Sequence, residues 1–470
     1  MHWRAGFFRF AVIVYGLSLL LAAAPALADY LVRDLGSLTE RSSGGADIND
    51  QGNVAGAAYV TGGWWIDEDG VIHGEAWLTH GVLWDGEEMI DLGVLGEDPG
   101  EMPRPSSTAL GLNNLNQVVG YATPISDHIV RGFVWLPEPA YGLVGGINEL
   151  PCLAQFGPSV TRARAINDVG QIAGESQMDD PVGEPGPIRA VRWGYTGSAM
   201  EIFDLGTLDD LTTSMSRAYD INAHGEIVGE SHNLPAGHLG MEAFLYLPVA
   251  KYGLPAGMNS LTPGDSAGRA IAINDLGQVA GMSGLYDVWL WLPEAAYGLP
   301  AGLNRFGEFP IEGVYWTKVT GINNAGQMVG NVNWEYIPDF HRICGWVWQN
   351  GVFTLLDDRL PDSTDWRVAR ALAISDSGHI TGSGRGGDVY QELQMFRTVR
   401  LTPALLGDVD GDWDLDGDDF VTIAGCLAGP DVSTPPPGCT IERFHRADFQ
   451  GDDDVDLRDW AEFQYRASGV

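Results

Sequence analysis

The residues with the clearest chemical potential lie near the C-terminus. The run Asp408-Val409-Asp410-Gly411-Asp412-Trp413-Asp414-Leu415-Asp416-Gly417-Asp418-Asp419 carries seven aspartates in twelve residues. Forty positions on, Asp448-Phe449-Gln450-Gly451-Asp452-Asp453-Asp454-Val455-Asp456-Leu457-Arg458-Asp459 repeats the alternation. Oxygen donors at loop positions 1, 3, 5, 7, 9 and 12 suit a hard cation such as Ca2+, position 7 acting through its carbonyl. Leu415 and Val455, at position 8, are the apolar residues that would tie two such loops together. Helical runs follow, with Phe420, Ile423 and Leu427 after the first loop and Trp460 and Phe463 after the second. A disordered acidic tail would explain neither the duplicated spacing nor these apolar faces. Cys426 and Cys439 bracket the proline-rich stretch Ser433 to Gly438, a loop short enough to close easily, and a disulfide is predicted there. Cys152 and Cys344 lie far apart in the chain and are expected to be buried thiols.

Elsewhere the search for catalytic chemistry is negative. The chain has no Gly-x-Ser-x-Gly elbow, no His-Glu-x-x-His and no phosphate loop in a suitable context, and its ten histidines lack metal-ligand spacing. Carboxylates are so abundant that pairs at glycosidase distance are easy to imagine, and no residue takes a catalytic role. With 63 acids against 26 Lys and Arg, the net charge of −37 excludes sequence-independent binding of nucleic acid and disfavours an anionic leaflet. At the N-terminus, Arg4 and Arg9 precede the apolar run Phe10 to Leu21, and Ala26-Leu27-Ala28 closes it with small residues. This predicts a signal peptide over residues 1–28, cleavage after Ala28, export to the cell surface or medium, and no membrane span in the mature protein.

The elements that carry everything else repeat. Ala163-Arg164-Ala165-Ile166-Asn167-Asp168-Val169-Gly170-Gln171-Ile172-Ala173-Gly174 recurs seven times, its asparagine falling at 49, 113, 167, 222, 274 and 323, with Ser375 in the seventh copy. The glycine after Asn/Asp supplies the positive φ of a short hairpin loop, and the Asx side chain can bond the turn backbone. A third, aromatic strand follows (Gly132 to Leu136, Ala243 to Tyr246, Gly345 to Trp348), then a fourth typified by Ile90-Asp91-Leu92-Gly93. Four strands in about fifty residues is one propeller blade. The orphan fourth strand Val32 to Gly36 at the front matches the one missing after Met395 to Leu401 at the back. The prediction is therefore all-β: a seven-bladed β-propeller of about 28 short antiparallel strands over 29–402, its N-terminal strand closing the last blade. A small α-helical, EF-hand-like module over 403–470 would follow.

In such a blade the loops between strands two and three share a face with the loops joining blades, and here these are long and variable. Trp64, Trp65 and Asp67, with Trp334 and Tyr336, combine aromatic faces and polar groups suited to stacking on sugar rings, which makes an extracellular polysaccharide a candidate ligand. On the opposite face, Trp135-Leu136-Pro137-Glu138-Pro139-Ala140-Tyr141-Gly142-Leu143 returns at 291–299 and more loosely at 246–254. It is expected to be a folded connector anchored by its tyrosine.

Two resemblances follow from these motifs. Asp-Leu-Gly-x-Leu, Ala-x-x-Ile-Asn-Asp-x-Gly-Gln-Val-x-Gly and the aromatic strand resemble the bacterial extracellular repeats of the HAF family, across roughly residues 30–402; Leu303-Asn304-Arg305-Phe306 departs from the Asp-Leu-Gly form. The tail resembles a type I dockerin module over 407–466. Carried over by position, that resemblance implies calcium ligands at Asp408, Asp410, Asp412, Asp414, Asp416 and Asp419 in one loop. In the other they would be Asp448, Gln450, Asp452, Asp454, Asp456 and Asp459. Position 6, normally glycine, is Trp413 and Asp453 here. A cohesin-like partner is implied too, although the Ser-Thr pair often used for recognition is replaced by Gly417-Asp418 and Leu457-Arg458. The expected function is an exported, non-catalytic binding protein whose propeller presents a ligand face and whose tail is a Ca2+-dependent anchor to a partner or cell-surface protein. The alternatives are a polysaccharide-active hydrolase or lyase carrying a dockerin, and a structural surface repeat protein.

Overall fold

A computed structural model describes residues 30–39, 42–60, 65–66, 72–73, 78–86, 88–96, 105–155, 157, 159–179, 185–233, 240–307, 314–337, 340–360, 364, 366–386, 396–403, 417–430, 432–440, 447, 455–458 and 460. Seven four-stranded antiparallel sheets make the seven blades of a β-propeller. In blades 1 to 6 the strands follow chain order, hairpin strands first, aromatic strand third. The first strands, Ser43–Ile48, Ser106–Leu112, Thr161–Ile166, Ser216–Ile221, Gly268–Ile273, Val314–Ile322 and Arg367–Ile374, each touch the first strands of both neighbouring blades, the seventh touching the first. They are the inner wall of a closed ring. Blade 7 takes its fourth strand from the other end of the chain: Tyr30–Asp34 pairs antiparallel with Arg397–Pro403, from Tyr30 opposite Pro403 to Asp34 opposite Val399. The predicted N-terminal closure is therefore the observed one. A further two-stranded ribbon, Trp65–Ile66 with Ile72–His73, lies in the long loop of blade 1 and accounts for part of its extra length.

Each inner hairpin contains a β-bulge that the repeat pattern did not disclose. The register between first and second strands shifts at Ala46, Leu110, Arg164, Tyr219, Ile271, Thr320 and Leu372. The bulge explains the last glycine of the repeat. A Cβ at Gly120, Gly174, Gly229, Gly281 or Gly330 would come within 1.9–2.4 Å of a first-strand carbonyl and also meet an aromatic ring of the third strand. Those rings, Phe133, Trp193, Phe244, Trp289 and Trp346, are fully buried. Glycine and aromatic residue are thus one device: the missing side chain on strand two makes the space that the ring on strand three fills. Filling it with an aromatic gives blades 2 to 6 a large apolar burial; blades 1 and 7 carry Val82 and Val399 opposite the glycine instead.

The Asp-Leu-Gly unit spans the end of the fourth strand and the turn beyond it. Asp34, Asp91 and Asp204 accept the N–H of Gly36, Gly93 and Gly206 at 2.9 Å. The serine that opens the next inner strand donates to that glycine's carbonyl, as Ser43, Ser107 and Ser216 do at 2.6–2.7 Å. In the C-terminal region, helix Gly417–Cys426 is the one α-helix longer than a turn among the described residues. Cys426 and Cys439 form the predicted disulfide, with Cα atoms 5.1 Å apart. Cys344 is a buried thiol outside any disulfide, as expected, whereas Cys152, also outside a disulfide, is only half-buried. Among the described residues no helix is long and apolar enough to cross a membrane. The predicted signal peptide, residues 1–28, lies outside the described residues.

Candidate functional site

The repeated asparagine does more than shape its own turn. Its Oδ1 accepts the N–H groups two and four residues on, as Asn274 does from Leu276 (3.2 Å) and Gln278 (2.9 Å). Its Nδ2 donates across to the next blade: Asn49 to the carbonyl of Asn113, Asn113 to Asn167, Asn167 to Asn222, Asn222 to Asn274, Asn274 to Asn323 and Asn323 to Ser375, at 2.8–3.2 Å. Ser375 cannot reach in this way, and the ring closes instead through Ser377 Oγ on the carbonyl of Asp50 at 2.9 Å. All six asparagines are buried.

The next residue makes a second ring. The N–H of Asp50 donates to Asn114 Oδ1, that of Asn114 to Asp168, Ala223 to Asp275, Asp275 to Asn324, Asn324 to Asp376 and Asp376 to Asp50. Only the step from Asp168 is missing, because Ala223 has no side-chain oxygen. Both rings surround a cavity of about 200 Å³ at the turn-side mouth of the channel.

Below the rings, Asp47 and Asp220 line the same cavity. One oxygen of each accepts the following residue's N–H; the other accepts an N–H of the next blade, Leu112 or Ile273, at 2.8 Å. Their surface is half-buried, but what remains open faces only the narrow channel, so the ionised form is poorly hydrated. Burial pushes Asp47 up to about 6 against those N–H bonds. It pushes Asp220 up to about 7, with Asp47 and Asp275 adding repulsion. A carboxyl raised in the folded state opposes folding once it must ionise, so stability is lost as pH rises from the ordinary value of 3.8 to about 6 for Asp47 and about 7 for Asp220. Thermal melts across this range are expected to fall for the native chain. For Asp220→Asn they should fall less steeply; identical slopes would mean Asp220 does not titrate there.

The recurring connector is clasped as expected, with a geometry the sequence did not announce. Tyr141, Tyr252 and Tyr297 adopt φ of 56–57°, followed by Gly142, Gly253 and Gly298 at 74–76°. This is a type I′ turn with tyrosine in its first central position, a strained conformation held by its contacts. Tyr141 and Tyr297 donate to Gln117 and Gln278 of their own blades at 3.1 Å. Tyr252 donates to Glu226 at 3.2 Å. Each ring lies over the turn glycine of the next blade, Gly170, Gly277 or Gly326, where a Cβ would meet the tyrosine at 1.9–2.3 Å.

No protein-family model matches this chain, and no curated protein matches it. Its similarities are to solved structures. The β-propeller domain of the Trilobed protease from Pyrococcus furiosus, which has an open velcro topology, is 10% identical with a TM-score of 0.41, over 76% of this chain and 95% of that one. The Dos1 propeller is 11% identical, TM-score 0.39, over 80% and 95%. YCF48 from Cyanidioschyzon merolae is 9% identical, TM-score 0.37, over 80% and 99%. The assignment as a propeller rests on the seven sheets themselves.

The proposed sugar-facing residues fall largely outside this description. Trp64 and Asp67 lie outside the described residues; Trp65, Trp334 and Tyr336 are placed in strands by their backbone alone. Of the twelve calcium positions, Asp408, Asp410, Asp412, Asp414, Asp416, Asp448, Gln450, Asp452, Asp454 and Asp459 lie outside the described residues, and Asp419 is described only as part of its helix. Asp456 is buried and accepts the backbone N–H of Arg458 at 2.6 Å and its Nε at 3.0 Å. Among the described residues no group of three or more His, Cys, Asp or Glu is placed to hold a metal ion. Sequence reasoning missed Asp47 and Asp220: they occupy the repeat position two before the asparagine, where the other blades carry Gly111, Ala165, Ala272, Gly321 and Ala373. That substitution of acid for a small residue was the available signal.

Proposed function

We propose that the protein is an exported binding protein without catalysis of its own, a HAF-like repeat propeller joined to a dockerin-like calcium module. The observation that carries this reading is where the repeated polar residues go. The asparagines, the carboxylates beside them and Asp47 and Asp220 all hold one blade to the next, so the repeat encodes a scaffold. Ligand recognition then belongs to the loops that vary, on the opposite face, where an extracellular polysaccharide is the proposed ligand. Pro403, where the propeller ends, packs against the turn glycine Gly378. The chain therefore leaves for its tail from the turn side, away from the variable loops.

Binding of Ca2+ by the tail is supported by what surrounds its loops. Val455, at position 8 of the second loop, is fully buried with Ile423, Cys426 and Ala447, and its carbonyl accepts the N–H of Ala428 at 2.9 Å. This is the place the loop-tying residue should occupy, and the disulfide fixes the end of the helix that follows the first loop. The twelve positions named above would hold two ions, which would neutralise aspartates that otherwise repel one another. A cohesin-like or cell-surface protein is the proposed docking partner. Adding Ca2+ to the chelated mature protein should raise its helical circular dichroism and protect residues 404–470 from proteolysis; an unchanged spectrum and cleavage rate would remove the calcium reading.

The hydrolase reading has one observation in its favour, the pair Asp47 and Asp220 with raised carboxyls on a shared cavity. Each oxygen of both already accepts a backbone N–H, which argues for a structural role.

A further inference from the structure

The channel wall carries a second recurring position, and its chemistry is opposite to that of the turn-side mouth. Five residues before the ring asparagine, or before Ser375, the inner strand lies opposite the residue that follows the repeat's last glycine. Blade by blade this position is Gly44, Thr108, Arg162, Arg217, Arg269, Lys318 and Arg370, opposite Ala57, Tyr121, Glu175, Glu230, Met282, Asn331 and Ser383. Five consecutive blades present a cation. With 26 Lys and Arg among 470 residues, seven positions would hold fewer than one by chance.

These side chains reach open space. The inner strand is covered by its own hairpin partner and flanked by the neighbouring blades, so what it exposes faces the channel. Arg269, Lys318 and Arg370 are exposed, and Arg162 and Arg217 partly so. At the equivalent position of blade 1, a Cβ built on Gly44 meets no atom within 4 Å. The bulge adds Arg164, whose guanidinium lies 5.1 Å from the ring of Tyr219.

Two buried carboxylates order part of this array. Glu175 lies 3.0–3.3 Å from Arg162, Arg164 and Arg217, and Glu230 lies 3.0 and 2.8 Å from Arg217 and Arg269. Two acids do not balance six cations. Lys318 and Arg370 lie over the rings of Trp316 (5.1 Å) and Phe396 (5.7 Å), with no carboxylate partner among the described residues. In a chain of net charge −37, a positive excess has been gathered on one wall.

We propose that the loop-side end of the channel binds a short acidic oligosaccharide, its carboxylate or sulfate groups engaging the cations of adjacent blades. Guanidinium forks match planar carboxylates two bonds at a time, and the aromatic faces beside them suit a sugar ring. The ligand is short because the negative field of the whole molecule repels a long polyanion, while contacts inside the channel act at close range. This site is the channel wall rather than the variable loops, so it can fail while retention on a neutral polysaccharide stands.

The test is calorimetric titration of the full mature chain with trigalacturonate, a sulfated trisaccharide and a neutral trisaccharide. At least one acidic probe should bind, more weakly as salt is raised, and the tighter of the two identifies the preferred anion. Lys318→Gln with Arg370→Gln should lower that affinity at least tenfold without changing the melting temperature, because neither residue holds a buried carboxylate. Gly44→Arg, which adds a cation where there is room, should raise it severalfold. Failure of both acidic probes at millimolar concentration, equal binding of the neutral sugar, or affinities untouched by both variants would overturn the proposal.

Discussion

Replacing Asn274 by alanine is expected to destabilise the propeller by about 4 kcal/mol, a large part of the 5–15 kcal/mol that typically separates folded from unfolded states. The side chain is buried and makes four hydrogen bonds. It accepts the N–H groups of Leu276 and Gln278 and donates to the Asn323 carbonyl at 2.8 Å and to Gln278 Oε1 at 2.9 Å. Truncation leaves the N–H groups of Leu276 and Gln278 without their acceptor and removes the inter-blade bond to the Asn323 carbonyl, which keeps only the N–H of Gly326; each unsatisfied buried group costs about 1–3 kcal/mol. In a domain of this size the melting temperature should fall by about 5 °C. Asn113, Asn167 and Asn222 should behave alike. Ser375→Ala should cost less, since Ser375 Oγ bonds only Ser377 Oγ and the N–H of His379. Leu276→Ser, in the same turn but half-exposed, is the control and should change little. Equal effects at Asn274 and Ser375 in thermal melts would contradict the ring.

Removing the N-terminal strand should do still more. A chain that begins at residue 38 loses the pairing of Tyr30–Asp34 with Arg397–Pro403 and the buried Tyr30 ring, which packs in the cluster of Leu356, Leu360 and Val399 joining blades 6 and 7. Roughly one kcal/mol for each ladder hydrogen bond and about 2–3 for the ring approach the whole stability of a typical domain. The third strand of blade 7 becomes an open edge, an invitation to pair with another chain. The truncated protein is expected to aggregate or to lose cooperative unfolding. Placing a copy of residues 30–37 after Pro403 should restore it, because the other blades supply the fourth strand from that side. A truncated chain that stays monomeric with an unchanged melt would show that the ring does not depend on this closure.

Much of this architecture was legible because the repeat writes it seven times. The period gave the blade, Asn-Asp-x-Gly gave the hairpin, and the unmatched strands at Val32 and Met395 gave the closure. What stayed hidden depends on contacts between repeats, which no single copy displays. The last glycine of each copy reads as an ordinary strand residue until a first-strand carbonyl, and in blades 2 to 6 an aromatic ring as well, is brought onto it. The asparagine reads as a turn residue, yet Oδ1 alone does that work while Nδ2 holds the neighbouring blade. Tyr141, Tyr252 and Tyr297 were legible as anchors but not as left-handed residues, because tyrosine rarely adopts that conformation without tertiary support. The channel cations were hidden by their spread: Arg162 and Arg370 are over two hundred positions apart and share a wall only once the ring closes. The disulfide was the easiest inference, since its two cysteines are thirteen residues apart.

The proposed function is a propeller that binds an extracellular ligand without converting it. The most direct test incubates residues 29–470 with a panel of extracellular polysaccharides and measures both the protein retained on each polymer and the sugar released. Retention without release is the predicted result, and it would direct mutation to Trp65, Trp334 and Tyr336. Release of oligosaccharide, abolished by Asp47→Asn or Asp220→Asn in a chain that still folds, would contradict it and make the raised carboxyls of the channel the catalytic pair.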